Sequence, residues 1–383
     1  MQKVVILFDG PHLAFSPTPA QLYDELSKKY DVTIIAQDPN NFTGQAIEGR
    51  KVLYHRYYAV KGRIMYKIMF KALTFINREA RCFQKNKLNY RDYFFKYRFI
   101  KNAFKRSGYD RVICIDIVNL FFCSLLNQKV DFLSLELTKD EHLLPAIKKE
   151  LIECVLIQSR PRLEYLFKDL EIKTFFVQNA PEYKEIEVDI QARKQIIYSG
   201  TSVNAFGFYD CLNYLNKYPG EVMMVQGAFY QKDREKVEKE YSNLLKEQRL
   251  LINSNYMDNN DVVRFIADYQ VGFCFYNFDD PLIKNNYFNY FTAPSGKMFK
   301  YLAAGVPVVA VDILGFQFVK EYQCGILIES LDEKTIRDAV QKIRSDYLFY
   351  VENAKTAAKF FSFDKAIIPY LEFISARGKT KIL

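Results

Sequence analysis

Residues 294–309 read Pro-Ser-Gly-Lys-Met-Phe-Lys-Tyr-Leu-Ala-Ala-Gly-Val-Pro-Val-Val. Their order predicts a loop, a short helix, a glycine stop and a buried strand, with Lys297 in the first turn of the helix. Free N–H groups at a helix start carry partial positive charge, and Ser295, the Gly296 backbone and the Lys297 ammonium add donors to them. The segment therefore suits a phosphate. An ordinary helix capped by Ser295, with a surface lysine, is written with the same residues.

A phosphate-facing turn should follow a strand and contain small residues that let backbone approach a ligand. Three turns qualify: Phe8-Asp9-Gly10-Pro11, Tyr198-Ser199-Gly200-Thr201 and Gln226-Gly227-Ala228. None is a full G-x-G-x-x-G or Walker loop, which argues against a dinucleotide dehydrogenase or a P-loop NTPase. Singly, each also reads as an ordinary strand-to-helix turn.

These turns need a frame. The chain has 383 residues, about twice a typical domain, so two domains are expected. Short apolar runs alternate with amphipathic segments, the pattern of parallel sheets flanked by helices. Strands are expected at 3–8, 31–36, 51–55, 111–115, 132–135, 154–158 and 173–177. After a polar stretch that begins at Asn179-Ala180-Pro181-Glu182 the pattern restarts near 195–201, with strands at 221–225, 249–252, 271–275, 306–311 and 325–328. The reading is an N-terminal domain over 1–182, a second domain over 194–362, and a C-terminal helix and tail over 363–383. Ligands of such domains bind at the carboxyl ends of the strands.

The formal charge of +9 is concentrated, since 18 Lys and Arg face three acids between Arg50 and Arg111. Tyr and Phe interleave with these charges across a helical insertion over about 61–106. That mixture suits an anionic membrane surface; a solvated helical face over an aromatic core is the plain reading. No nucleic-acid motif accompanies the charge, so a nucleic-acid partner is not expected. Seven cysteines without C-x-x-C spacing, mostly in apolar runs, suggest free thiols in a reducing compartment, with no zinc and no disulfides. The first apolar run is too short for a signal peptide, and no segment approaches the ~18 apolar residues of a membrane span. A cytoplasmic protein at the inner face of the cell membrane is expected.

The run from Ala293 to Ala310 resembles the sugar-nucleotide site of GT-B glycosyltransferases, especially family-four-like members with a Pro-Ser-Lys-Leu-Phe-Glu-Tyr-Leu-Ala-Ala-Gly-Lys-Pro-Val segment. Ile196–Gly200 is similar to the strand and turn that open their C-terminal domain, Asn253–Met257 to their base-reading loop, and Asp268–Tyr276 to the strand that follows it. Residues 132–137 and 151–158 resemble their N-domain strand, helix and strand. The resemblance implies an α/β fold with two Rossmann-like domains facing a central cleft. It also implies that Ser295, Gly296 and Lys297 meet a donor diphosphate which Gly200 and Thr201 approach from the other side. Gly227, Tyr256, Met257, Gly10 and His12 join the donor site on the same ground.

A leaving nucleoside diphosphate accumulates negative charge, and preorganised cations and N–H donors stabilise it without a metal. The implied reaction is thus a metal-independent, cofactor-free transfer from a UDP- or GDP-linked sugar to a surface-glycan or lipid-linked acceptor. In the N-domain, Glu136 and then Asp116 are the candidate bases for the acceptor hydroxyl if the enzyme inverts. Each also reads as a helix N-cap or loop residue. Asp279-Asp280 reads as a solvated loop rather than a metal-binding pair.

Two positions depart from the family pattern. Lys300 stands where a ribose-binding glutamate is usual, and Thr292 stands eight residues earlier, where another glutamate often contacts the sugar. A lysine cannot accept hydrogen bonds from hydroxyls, but it can bind an acid. A similarity to the xanthan-assembly glucuronosyltransferases, which also lack that glutamate, suggests a carboxylated donor such as UDP-glucuronate. Ala205-Phe206-Gly207 also stands where a lysine often follows the glycine turn. Two rivals stay open: a non-catalytic GT-B-like protein that binds sugar nucleotide or a partner, and a sugar-nucleotide epimerase, for which no His/Glu base pair is identifiable.

Overall fold

The computed structural model describes residues 1–10, 13, 16–38, 49–55, 82–83, 93–137, 139–168 and 170–377. They form two compact units, one taking residues up to Ile157, 163–176 and Ile367 onward, the other 158–162 and 177–366. Each unit is built on its own sheet.

The first sheet contains β1 (Lys3–Leu7), β2 (Asp31–Gln37), β3 (Val52–His55), β4 (Arg111–Ile115), β5 (Val130–Leu133), β6 (Ile152–Ile157) and β7 (Thr174–Phe176). Their order is β3-β2-β1-β4-β5-β6-β7, with every pairing parallel. The second contains β8 (Lys194–Ser199), β9 (Met223–Gln226), β10 (Leu250–Asn253), β11 (Tyr269–Cys274), β12 (Val308–Val311) and β13 (Gly325–Ile328). It runs β10-β9-β8-β11-β12-β13, again wholly parallel. Central strands such as Val4–Leu7 and Val308–Val311 are buried along their length, because helices cover both faces of a parallel sheet. Each sheet reverses its order once, between β1 and β4 and between β8 and β11. Such reversals open a crevice at the carboxyl ends of the flanking strands.

Part of the basic, aromatic insertion is described. Helix α1 (Phe95–Ser107) ends at Gly108, whose left-handed backbone lets its N–H bond the Phe104 carbonyl. Phe83, Phe94 and Tyr97 are buried, and Phe83 packs on Phe121 and Phe122 of helix α2 (Asp116–Leu125). These rings build core rather than surface. Lys96 is buried too and pairs with Asp9, while Lys105 and Arg106 remain exposed in the last turn of α1. Residues 61–81 and 84–92 of the insertion lie outside the described residues, as does His12. Among the described residues no helix is long and apolar enough to cross a membrane. Six of the seven cysteines are buried free thiols, and Cys82 is half-buried.

In the second unit, helix α3 (Gly296–Ala303) packs against helix α4 (Tyr347–Phe361). The last helix, α5 (Ile368–Arg377), belongs to the first unit, where Tyr370 packs on Phe175 of β7 and hydrogen-bonds Asp131 of β5.

Candidate functional site

The crevice of the second sheet is bordered by two glycine turns. Gly200 follows β8 with φ +132° and donates its N–H to the Gln226 carbonyl at 2.8 Å. Gly227 follows β9 with φ +140°, and a Cβ there would collide with the Gly200 carbonyl oxygen. The turns pack backbone on backbone, which only glycine permits at these angles. Ser202, just beyond, is wholly buried, and its hydroxyl has no partner among the described residues.

Helix α3 brings a charge to these turns. Ser295 is its N-cap, but the hydroxyl makes no cap hydrogen bond and faces the buried Cys274 thiol instead. The N–H groups of the first turn therefore gain no side-chain acceptor from Ser295. Gly296 lies close to Asn179, since a Cβ there would stand 2.9 Å from the Asn179 side-chain nitrogen. Lys297 folds back over Gly200, its Cδ 3.7 Å from where a Cβ on that glycine would stand. The ammonium lies 5.0 Å from the ring centre of Tyr198, 5.6 Å from Phe206 and 6.0 Å from Tyr276. Aromatic faces hold a cation without cancelling its charge. Among the described residues Lys297 has no hydrogen-bond or ion-pair partner, so its charge remains free for an anion.

The opposite end of α3 is anchored by Arg193. Its guanidinium donates to the Gly305 carbonyl at 2.7 Å, the Ala304 carbonyl at 3.0 Å and the Tyr347 hydroxyl at 3.1 Å. A cation on the last carbonyls complements the helix dipole and fixes the helix that carries Lys297. Sequence reading missed this residue, which stands about 110 positions before its acceptors with no local signal.

Lys300, one turn beyond Lys297, is half-buried and also lacks a hydrogen-bond or ion-pair partner among the described residues. Burial alone pushes its ammonium below the usual lysine pKa. Elsewhere the buried Arg111 pairs with Asp131 at 2.8 Å and the half-buried Arg344 with Glu221 at 2.7 Å. Thr292 is fully buried, and its hydroxyl donates to the Phe288 carbonyl at 2.7 Å, so that hydroxyl is committed within its own helical turn. Tyr256 is exposed and Met257 half-buried in the loop after β10. Gln226 ties that loop to β9 through a bond from its Nε2 to the Asn255 carbonyl at 3.0 Å. Its place just before Gly227 was the available signal for Gln226. Asp280 caps a short helix by accepting the Leu282 N–H at 2.9 Å, and Asp279 pairs with Lys284 at 3.2 Å. Among the described residues no cluster of His, Cys, Asp and Glu is arranged to hold a metal ion.

In the first unit, Gly10 follows β1 with φ +90° and open space where a Cβ would stand. Asp116 begins α2 with φ +62°, and its Oδ1 accepts the N–H groups of Leu135 at 2.8 Å and Glu136 at 3.0 Å. One candidate carboxylate thus braces the backbone of the other, whose own side chain is exposed. Near Asp9 and Lys96 lies His55, a buried ring whose pKa is lowered to about 4 by burial and by the Lys96 charge.

No family model matches the chain, and no curated protein matches its sequence. Solved structures do match. A sucrose-phosphate synthase from Thermosynechococcus elongatus superposes with a TM-score of 0.67 at 13% identity, covering 98% of this chain and 100% of that one. Anabaena HepE, solved in complex with UDP, superposes with a TM-score of 0.65 at 12% identity, over 98% and 100% of the two chains. A Listeria monocytogenes protein described as a UDP-N-acetylglucosamine 2-epimerase gives 0.59 at 11% identity, over 99% of each chain. Likeness at these identities is likeness of fold. The chain has the α/β architecture of GT-B glycosyltransferases, with two units each built on a Rossmann-like parallel sheet.

Proposed function

We propose that this protein is a glycosyltransferase that moves a sugar from a nucleotide-sugar donor to a saccharide or lipid-linked acceptor. The observation that carries the reading is the Lys297 ammonium, unpaired and resting on aromatic faces above the bare backbone of Gly200. When a glycosidic bond to a nucleoside diphosphate breaks, negative charge grows on the departing phosphate. Lys297 and the N–H groups of Thr201 and Gly296 would offset that charge with no metal. Tyr256 and Met257 would border the base, as a UDP-containing neighbour of the same fold makes reasonable. The uncompensated Lys300 supports a donor sugar that carries a carboxylate, a glycuronate rather than a neutral hexose. On the acceptor side, the exposed Glu136 carboxylate is the base for an inverting reaction, with Asp116 holding its loop. The basic insertion, of which Lys105 and Arg106 are described, would hold the enzyme at the anionic inner face of the cell membrane during polysaccharide assembly.

The test is purified protein with UDP-, GDP- and CMP-linked sugars, followed by thermal shift, donor hydrolysis and transfer to added saccharide. Transfer or hydrolysis with one nucleotide class supports the reading. Tight binding without turnover supports a non-catalytic binder, and interconversion of the free donor supports an epimerase.

A further inference from the structure

Tyr301 occupies an unusual place in the second sheet. It lies four residues after Lys297, hence on nearly the same face of α3, and it is wholly buried. Its hydroxyl accepts the Ser199 N–H at 2.6 Å and donates to the Phe273 carbonyl at 3.0 Å. Ser199 ends β8 and Phe273 lies on β11, the two strands that flank the reversal of strand order. In β8 the N–H of Gly200 points to β9, where it bonds Gln226, so the N–H of Ser199 points to the other neighbour, β11. Tyr198 is in register with Phe273, and an unbroken ladder would send the Ser199 N–H straight to the Phe273 carbonyl. The phenol stands in that bond instead. Gly272 makes room for it, since a Cβ there would lie 2.6 Å from the Tyr301 ring.

We propose that Tyr301 is a positioning residue: its hydroxyl, interposed in the β8–β11 ladder, opens the sheet at the crevice and sets the distance between the Ser199–Thr201 turn and Lys297. The phosphate grip then depends on a group that never touches phosphate. Tyr198 supports the same turn, its hydroxyl donating to the Thr201 carbonyl at 2.8 Å with the Phe206 carbonyl sharing that proton at 3.2 Å. The proposal rests on the diphosphate reading of the site.

Calorimetric titration of wild type and Tyr301→Phe with UDP, inorganic pyrophosphate and uridine tests it. The variant keeps the ring and loses only the inserted hydroxyl. UDP and pyrophosphate should each bind about tenfold more weakly, the scale of one lost buried hydrogen bond, while uridine is held as before. Equal affinities for all three ligands in the two proteins would overturn the assignment, and so would a uniform loss across them, which marks a core residue only. Wild type that binds neither UDP nor pyrophosphate removes the diphosphate reading itself, and this assignment with it. Should Tyr301→Phe not fold, hydrogen exchange in wild type decides. The Ser199 amide, held by Tyr301, should exchange more slowly when UDP is bound while amides of β12 do not change, and an unaltered Ser199 amide counts against the proposal.

Discussion

The Tyr370 hydroxyl donates to the Asp131 carboxylate at 2.8 Å, joining residues 239 positions apart. Asp131 stands where β5 shifts register against β6, is closed off from solvent, and accepts Arg111 at 2.8 Å with the same oxygen. Burial of the Tyr370 phenol raises it well above its ordinary pKa, with the Asp131 charge adding to the effect. The last helix is thus locked to the first sheet through a buried ion pair. Tyr370→Phe should lower the stability of the first unit by about 1–3 kcal/mol, since a buried carboxylate loses a donor. Asp131→Asn should cost more, about 3–5 kcal/mol, because the buried Arg111 guanidinium then loses the carboxylate it meets at 2.8 Å. Urea unfolding measures both, and UDP affinity, which the proposed site assigns to the second unit, should be unchanged.

What could be read without coordinates follows from the range of the forces involved. Every described strand falls within a few residues of an apolar run, because burial on both faces of a parallel sheet writes itself locally as β-branched and aromatic residues. The glycine turns and Lys297 were legible for a similar reason, since a strand end, a small residue and a helix start are neighbours in sequence. The destination of the last helix was not legible, nor were the anchoring of α3 by Arg193 and the pairing of Lys96 with Asp9. Each is a contact over 87 to 239 positions between residue types with no periodic signature. Thr292 shows the converse: a polar residue at an expected ligand position spends its hydroxyl on its own helix.

Gly227→Ala should uncouple the two turns. The substitution meets a strained φ of +140° and a clash with the Gly200 carbonyl, so relief requires the phosphate-facing turn to move. A loss of about 1–3 kcal/mol in stability and a fall in UDP affinity are expected together. Gly220→Ala is the matched control, since a Cβ there meets nothing within 4 Å. Thermal melts and titration of both variants separate a general loss of glycine from this one. Equal behaviour of the two would mean that the contact of Gly227 with Gly200 does not shape the site.

Lys297→Ala should weaken UDP by roughly 10- to 100-fold, the worth of a charge-assisted hydrogen bond of about 1.5–3 kcal/mol. Folding should be little affected, because the ammonium makes no ion pair among the described residues and its ring contacts are shared among Tyr198, Phe206 and Tyr276. The salt dependence of UDP binding should also flatten, as one cation leaves the site. Titration across ionic strength reads both effects, and unchanged turnover in Lys297→Ala would remove the central residue of the proposed mechanism.

Lys300 supplies a pH test whose sign is fixed by its burial. With the folded-state pKa lowered, the unfolded chain holds more protons than the folded one between that lowered value and the ordinary lysine value of about 10.4. Stability attributable to this residue therefore rises with pH across that window, and the cost of burying the ammonium is fully present below it. Lys300→Met, which removes the charge but keeps an unbranched apolar stem, should accordingly be more stable than wild type near neutral pH, with the gap closing as pH rises toward 10. Melting temperatures of both proteins, taken in steps from pH 7 to pH 10 without ligand, measure it. A carboxylated donor should reverse the ranking at neutral pH, because its charge compensates the ammonium in wild type and finds nothing in the variant. A gap that is constant with pH would place the ammonium in water, and with it would go the argument that this lysine selects an acidic sugar.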